Sequence, residues 1–452
     1  MTRLLLLLLV AGCAHPPVRG DIHRRSWLLV ETPHITLRTD LERDDALWRA
    51  RQLEQFWSAL AHLYDLVAPG APPPQHRFPV ILLARCEDFE KVAWGNVEGF
   101  ATPMDAELVA VTCEGNQGDT VVHELAHLFN HHLFPQLPRW VDEGLATYYS
   151  TMQVREGRAV LGNFPGGLSR YWNRPQWLPG LTAIRRMSAD EFYSDRVGAN
   201  YFCAWKLVHV LNNTSPDRQV EFRRYLAALR AGTGFEEAWQ HAFGGIADAL
   251  ADDYATYQRR DRVNRLATAY RWIEPPPPRV RRLRPGEAHV LWARLLNVAH
   301  EDAVAEQLER AAAADPDWSG LLYARAVLLR PRNAVALLRR YVALEPDDPK
   351  GWRALVDARV RAVVPAAYQR DPLSGRPPPA LAAIQADVRR LVEHASDTVS
   401  LNNVGWYYAL RQDPNAGLNF ALRAVQAQPS CGECWDTVGL LYFQAGKVPQ
   451  AV

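Results

Sequence analysis

The sequence predicts an α+β domain followed by an all-α solenoid. Three observations predict it: strand-length apolar runs interleaved with helix-length periodic runs in the first half, a stiff proline segment past residue 273, and a 34-residue recurrence beyond it. A chain of 452 residues exceeds one ordinary core, so two or three domains are expected. Hydrophobic residues at 48% and charged residues at 22% exclude a disordered or multispanning chain. Lys+Arg 51 against Asp+Glu 50 leave a net charge of +1, so no global field recruits nucleic acid or an acidic surface.

At the start, Arg3 precedes the run Leu4 to Val10, which is too short to cross a bilayer and reads as the apolar region of a signal peptide. Val10-Ala11-Gly12-Cys13 resembles the bacterial lipobox, whose Cys is diacylated and becomes the new N-terminus. The resemblance implies a leader over 1–12, lipidation of Cys13, a tether over 13–26 and a cell-envelope location. Ala14 after the Cys fits sorting to the outer membrane, with the chain facing the periplasm. An ordinary secretory signal with an incidental Cys is the alternative.

The first folded domain is expected over 27–273. Trp27 to Thr39 alternates as one strand, and Leu41 to Leu66 carries apolar residues at helical spacing. Pro69 to Pro74 breaks the chain; Phe78 to Ala84 and Leu108 to Thr112 then read as two further strands of a small sheet. Asp119 is positioned to cap a helix over Thr120 to His131, Pro135 and Pro138 punctuate its exit, and a second helix runs from Arg139 to about Met152. From Asp190 to Arg260 the pattern is again helical.

Export into an oxidising compartment lets cysteines pair. Cys86 and Cys113 each close an apolar strand-like run, which makes them the preferred pair, with connectivity left open by sequence. Cys431 and Cys434 have the CxxC spacing of redox and zinc sites, but they lack a second CxxC or a βαβ setting, so a local disulfide is expected. Cys203 reads as a buried single thiol.

Glu274-Pro275-Pro276-Pro277-Pro278 cannot continue a helix and is stiff when extended, so 274–285 is expected to be an interdomain linker. Beyond it, Val404-Gly405-Trp406-Tyr407-Tyr408 recurs as Val438-Gly439-Leu440-Leu441-Tyr442, with Gly405 and Gly439 34 positions apart. Trp318 and Trp352 share that separation, and Pro346 to Trp352 repeats as Pro429 to Trp435. This period and its G-x-x-Y placement resemble the tetratricopeptide repeat, whose helix pairs stack because one pair cannot bury its own apolar face. The resemblance covers 286–452, loosely before the last two units, where Pro372 to Pro379 interrupts.

Chemistry concentrates in His123-Glu124-Leu125-Ala126-His127. On a helix, histidines at i and i+4 project from one face a turn apart, the separation that two ligands of a tetrahedral zinc require. Glu124 falls on the neighbouring strip, where it can reach a water without ligating, the general-base position of HExxH peptidases. A third ligand is needed. Pro138-Arg139-Trp140-Val141-Asp142-Glu143-Gly144-Leu145-Ala146 supplies a carboxylate on a helix that a short Pro-bounded turn returns past the first.

HELAH followed by WVDEGLA resembles the gluzincin branch of zinc peptidases, and most closely the peptidase MA-like domains of bacterial exported proteins. The resemblance spans roughly Trp27 to Arg260, with its diagnostic residues in His123 to Ala146. It implies a thermolysin-like domain with a small sheet and a helical subdomain. It also implies one Zn2+ ion held by His123, His127 and Glu143. The family commonly supplies an oxyanion-stabilising Tyr from a downstream helix, and Tyr201-Phe202-Cys203-Ala204-Trp205 resembles that segment, so Tyr201 joins Glu124 as a catalytic candidate. Plain core packing is the alternative for Tyr201, and Tyr148 and Tyr149 are rivals.

Asp142 and Thr147 could orient the zinc histidines, because metal-bound His usually donates its other N–H to an oxygen. His131 and His132 lie near the site but would fill a position that should stay open. By analogy with related enzymes, Leu108 to Thr112 is expected to be the sheet edge against which a substrate strand lies. The Gly-x-Met-Glu-Asn signature of zinc aminopeptidases is absent, which leaves endopeptidase action as the default.

The expected function is a membrane-anchored zinc endopeptidase whose repeats hold a protein substrate or partner. Two other readings stay open. In one the peptidase fold is catalytically silent and the repeats serve an assembly or scaffold role; in the other the bond cut is a non-protein amide such as a peptidoglycan crosslink.

Overall fold

Trp27 to Thr39, expected as one strand, turns back on itself at Pro33. The computed structural model describes residues 25–67, 70, 77–93, 98–104, 107–115, 119–172, 178–257, 263–296, 301–429 and 431–451. The expected leader, Cys13 and most of the tether lie outside the described residues. Leu28–Glu31 (β1) and Ile35–Thr39 (β2) pair antiparallel, with Leu28 opposite Thr39. Pro33 has no N–H for a continuous ladder, and the Thr32 hydroxyl accepts from the Ile35 N–H at 3.1 Å, which closes the turn. Glu54 pins this turn from below: it accepts from the His34 N–H at 2.8 Å and meets His34 Nδ1 at 2.8 Å.

The next helix, Arg43–Val67 (α1), buries Ala46, Ala50, Leu53, Trp57, Leu60 and Tyr64, a single stripe at helical spacing. Phe78–Leu83 (β3) is buried throughout and lies parallel to β2. After the short turn Cys86–Phe89 (α2) come Gly99–Met104 (β4) and Glu107–Cys113 (β5), an antiparallel hairpin, with β5 parallel to β3. Cys86 and Cys113 are disulfide-bonded. β5 is therefore an interior strand, paired on both sides, and the sheet edge is β4. β4 was not among the expected strands; it holds Gly99 and Pro103, residue types that weaken a strand pattern and that sheets confine largely to edges and bulges.

Two helices carry the motifs: Asp119–Leu133 (α3) and Arg139–Ser150 (α4). The strands Gln153–Arg155 (β6) and Arg158–Leu161 (β7) follow, then the helices Leu181–Arg186 (α5), Ala189–Phe192 (α6), Val197–Asn213 (α7), Pro216–Arg230 (α8), Phe235–Phe243 (α9) and Ala247–Thr256 (α10). Leu266–Ala269 (β8) joins β6 and β7 in a small antiparallel sheet. Arg279–Arg282 (β9) then pairs antiparallel with β1, completing the order β4-β5-β3-β2-β1-β9.

This last pairing revises the expected linker. The prolines 275–278 lead to an edge strand of the first sheet, and the chain divides between Arg282 and Leu283. One unit comprises Trp27–Phe89 and Gly95–Arg282, and the other is built mainly from Leu283–Val452.

The second unit is helical: Pro285–Leu296 (α11), Glu301–Ala314 (α12), Gly320–Leu328 (α13), Ala334–Leu344 (α14), Pro349–Val363 (α15), Ala366–Arg370 (α16), Gln385–His394 (α17), Thr398–Leu410 (α18), Pro414–Ala427 (α19), Gly432–Gln444 (α20) and Val448–Ala451 (α21). The six-residue Pro to Trp spacing has a shared geometry. Trp352 Nε1 donates to the Pro346 carbonyl at 2.7 Å, and Trp435 Nε1 to that of Pro429 at 2.9 Å. A Cβ at Gly405 would stand 3.1 Å from the Ala421 Cβ, so glycine there lets α18 and α19 approach closely. Cys431 and Cys434 are bonded at the start of α20, and Cys203 is a buried free thiol. Among the described residues no helix is long and apolar enough to cross a membrane.

Candidate metal centre

α3 buries Val122, Leu125, Ala126, Phe129 and Leu133 against the first unit's core, which leaves His123 and His127 on the flank that faces α4. α4 is held on its other side by α7. A Cβ at Gly144 would lie 2.7 Å from Val208 Cγ2 and 2.8 Å from the Ala204 carbonyl oxygen, so only glycine permits this helix spacing. Sandwiched in this way, α4 is buried from Trp140 to Ser150 and presents Glu143 to the two imidazoles.

The three donor atoms form a nearly regular triangle. His123 Nε2 and His127 Nε2 are 3.1 Å apart, and Glu143 Oε2 lies 3.4 Å from the first and 3.3 Å from the second. Ligand bonds of about 2.0–2.1 Å to a tetrahedral ion require donor separations of about 3.3–3.4 Å, so the triangle has the size of one tetrahedral face. Among the described residues Glu143 Oε2 is also a buried oxygen with no hydrogen-bond partner, an arrangement that costs free energy unless a cation faces it. The group could hold a metal ion, and it is the one such cluster of three among the described residues.

Surrounding side chains orient these donors. Asp142 Oδ1 lies 2.8 Å from His127 Nδ1, which places the N–H of that ring on Asp142 and turns the Nε2 lone pair toward Glu143. Asn130 Nδ2 donates to the same Asp142 oxygen at 2.8 Å, the Tyr64 hydroxyl donates to Asn130, and Arg139 reaches Asp142 Oδ2 at 3.4 Å. Among the described residues Thr147 Oγ1 has no hydrogen-bond partner, so Asp142 alone of the two expected residues orients a histidine. The Tyr193 hydroxyl donates to Glu143 Oε1.

The electrostatics follow from burial against charge. Burial alone would raise the Glu143 carboxyl, but His127 and His123 outweigh it and hold the group well below the usual carboxylate range. Asp142 is lowered in the same contest, through His127. Burial would lower the His127 imidazole, yet Asp142 and Glu143 hold it well above its ordinary value. Glu124 differs: it is 6% exposed, and burial raises its carboxyl despite the opposing histidines.

Tyr201 reaches the site, its phenol ring 6.1 Å from the His123 ring. Burial pushes that phenol well up, so it stays a neutral donor. Both rivals lie in the core: the Tyr148 hydroxyl donates to Asn213 at 2.8 Å, and Tyr149 packs 5.3 Å from the Tyr64 ring. His131 stands outside the triad, 6.5 Å from His127 ring to ring. His34 meets Glu54 and His209 meets the Gly162 carbonyl, as structural histidines.

Sequence reading missed Asn130, Arg139 and Tyr193. The first two lie within one turn of known motif residues and were legible from helical spacing. Tyr193 follows a four-residue helix, 50 positions from Glu143, and no periodicity connects them. Comparison with protein-family models and with curated proteins finds no match for this chain.

Proposed function

We propose that the protein is a zinc-dependent endopeptidase, anchored through Cys13 to the outer membrane and facing the periplasm. The observation that carries the reading is the triangle of His123 Nε2, His127 Nε2 and Glu143 Oε2, with the buried Glu124 on the adjacent strip of α3. Two nitrogens and one oxygen suit zinc, and three protein ligands with an open fourth position mark catalytic rather than structural sites. A zinc ion bound there supplies Lewis acidity, polarising a scissile carbonyl and lowering the pKa of water from about 15.7 toward about 7.

The chain's own residues do the rest. Glu124 takes the proton of the attacking water on its carboxylate and delivers it to the leaving amine. Tyr201 donates its phenolic hydrogen to the carbonyl oxygen as negative charge develops there. The outer side of β4 offers unpaired backbone groups to an extended peptide. Its first residue, Gly99, packs tightly on Thr120 at the start of α3, where a Cβ would stand 2.4 Å from Thr120 Cγ2. The helical second unit is assigned the tetratricopeptide-like role of holding a protein substrate or partner, supported by its recurring Trp to Pro carbonyl bonds.

Metal analysis and casein cleavage of the soluble chain lacking residues 1–13 test the reading. Bound zinc is expected in both wild type and Glu124→Gln, with cleavage by the variant lower by roughly 10²- to 10⁴-fold. Equal cleavage by the two would remove the enzymatic assignment, and absence of bound metal would remove the centre itself.

A further inference from the structure

We propose that Tyr193 is a positioning residue that keeps Glu143 a one-oxygen ligand, an inference that rests on the metal reading above. The two oxygens of Glu143 have different neighbours. Oε2 faces the Nε2 atoms of His123 and His127 at 3.4 Å and 3.3 Å, whereas Oε1 accepts the Tyr193 hydroxyl hydrogen. A carboxylate beside a small divalent cation can offer one oxygen or both, and a modest rotation about its terminal bond converts one mode into the other. An O–H donor on Oε1 decides between them. Swinging Oε1 toward the cation would break a charge-assisted hydrogen bond in a buried setting, where such bonds are strong and costly to lose. Single-oxygen binding leaves the fourth corner of the tetrahedron open; two-oxygen binding crowds it.

Tyr193 is itself fixed from several sides. Its ring lies 5.9 Å from the Arg139 guanidinium and edge-on to Phe192 at 5.4 Å. Phe192 is fully buried and ends α6, whose start is fixed by the reciprocal capping box of Ser188 and Glu191. From α7, Asn200 Nδ2 donates to the Phe192 carbonyl at 2.8 Å, which ties this turn to the helix that carries Tyr201. Arg139 also reaches Asp142 Oδ2 at 3.4 Å, and Asp142 orients His127. One guanidinium thus touches both the donor that restrains the third ligand and the acceptor that orients the second.

Cobalt(II) loaded into the metal-stripped full-length chain reads this directly, because four-coordinate cobalt absorbs visible light several times more strongly than five-coordinate cobalt. Wild type is expected to show the intense band. Tyr193→Phe keeps the ring contacts and removes the donor; it is expected to show the weaker band and an affinity for cobalt lower by about 10-fold in chelator competition. Tyr193→Leu, which removes ring and hydroxyl together, must change the spectrum in the same direction. A spectrum unchanged from wild type, with affinity within about twofold, in whichever variant is folded by circular dichroism overturns the inference. Failure of the wild-type chain to take up cobalt would instead overturn the metal reading on which it rests.

Discussion

Five residues beyond Tyr201 on α7, Lys206 is buried at 2% exposure with its Nζ 3.6 Å from the centre of the Tyr254 ring. Burial pulls its ammonium group down from 10.5 to about 8. Between those two values the unfolded chain binds a proton that the native chain does not, so stability rises with pH across that window. The cost of the buried charge is therefore present at neutral pH and relieved in alkali. Lys206→Met removes the titrating group, so the variant's stability relative to wild type is expected to be higher at pH 7 than at pH 10, and its own rise across that window to vanish. Urea unfolding at pH 7 and pH 10 checks both parts. A variant that still gains stability over that range would place the titrating group elsewhere.

At the scale of elements, the centre depends on how closely α4 approaches its two neighbours. α3 contributes two imidazoles, α4 the carboxylate and α7 a phenol, so the separation of three helices sets the distances among four functional groups. Gly144 is where that separation is decided, since any side chain would meet Val208 and the Ala204 carbonyl below normal contact distance. Gly144→Ala is expected to destabilise the fold by about 1–3 kcal/mol through overpacking. It is also expected to weaken zinc binding, because the same displacement moves Glu143. Denaturant unfolding of the metal-free chain and chelator competition measure the two effects separately; wild-type values in both would mean the helices relax without moving the ligands.

Over the whole molecule, every residue of the candidate centre belongs to the unit ending at Arg282. β9 closes the β1 side of its sheet, and deleting that strand would expose the backbone groups of β1. A chain ending at Arg282 is expected to fold and bind zinc, whereas one ending at Ile273 is expected to unfold at lower denaturant or aggregate. Equal stability of the two truncations would make β9 dispensable and restore the earlier boundary.

Local periodicity governs much of the fold and of the candidate site. The i, i+4 histidines, the buried stripe of α1, the cysteines closing two strand-like runs and the Pro to Trp spacing all depend on neighbours within a turn or a strand, and such rules are written in the order of residues. Other features depend on contacts between distant segments. The hairpin at Pro33 required Glu54 to hold it, β4 needed β5 as its partner, and β9 needed β1, some 250 positions away. Tyr193 was invisible for the same reason, since its meaning lies in a hydrogen bond to Glu143 that no spacing encodes. Sequence alone determined which side chains could serve as ligands and base. Tertiary structure decided their separations and which oxygen of Glu143 faces the imidazoles, because helix packing and burial set those distances.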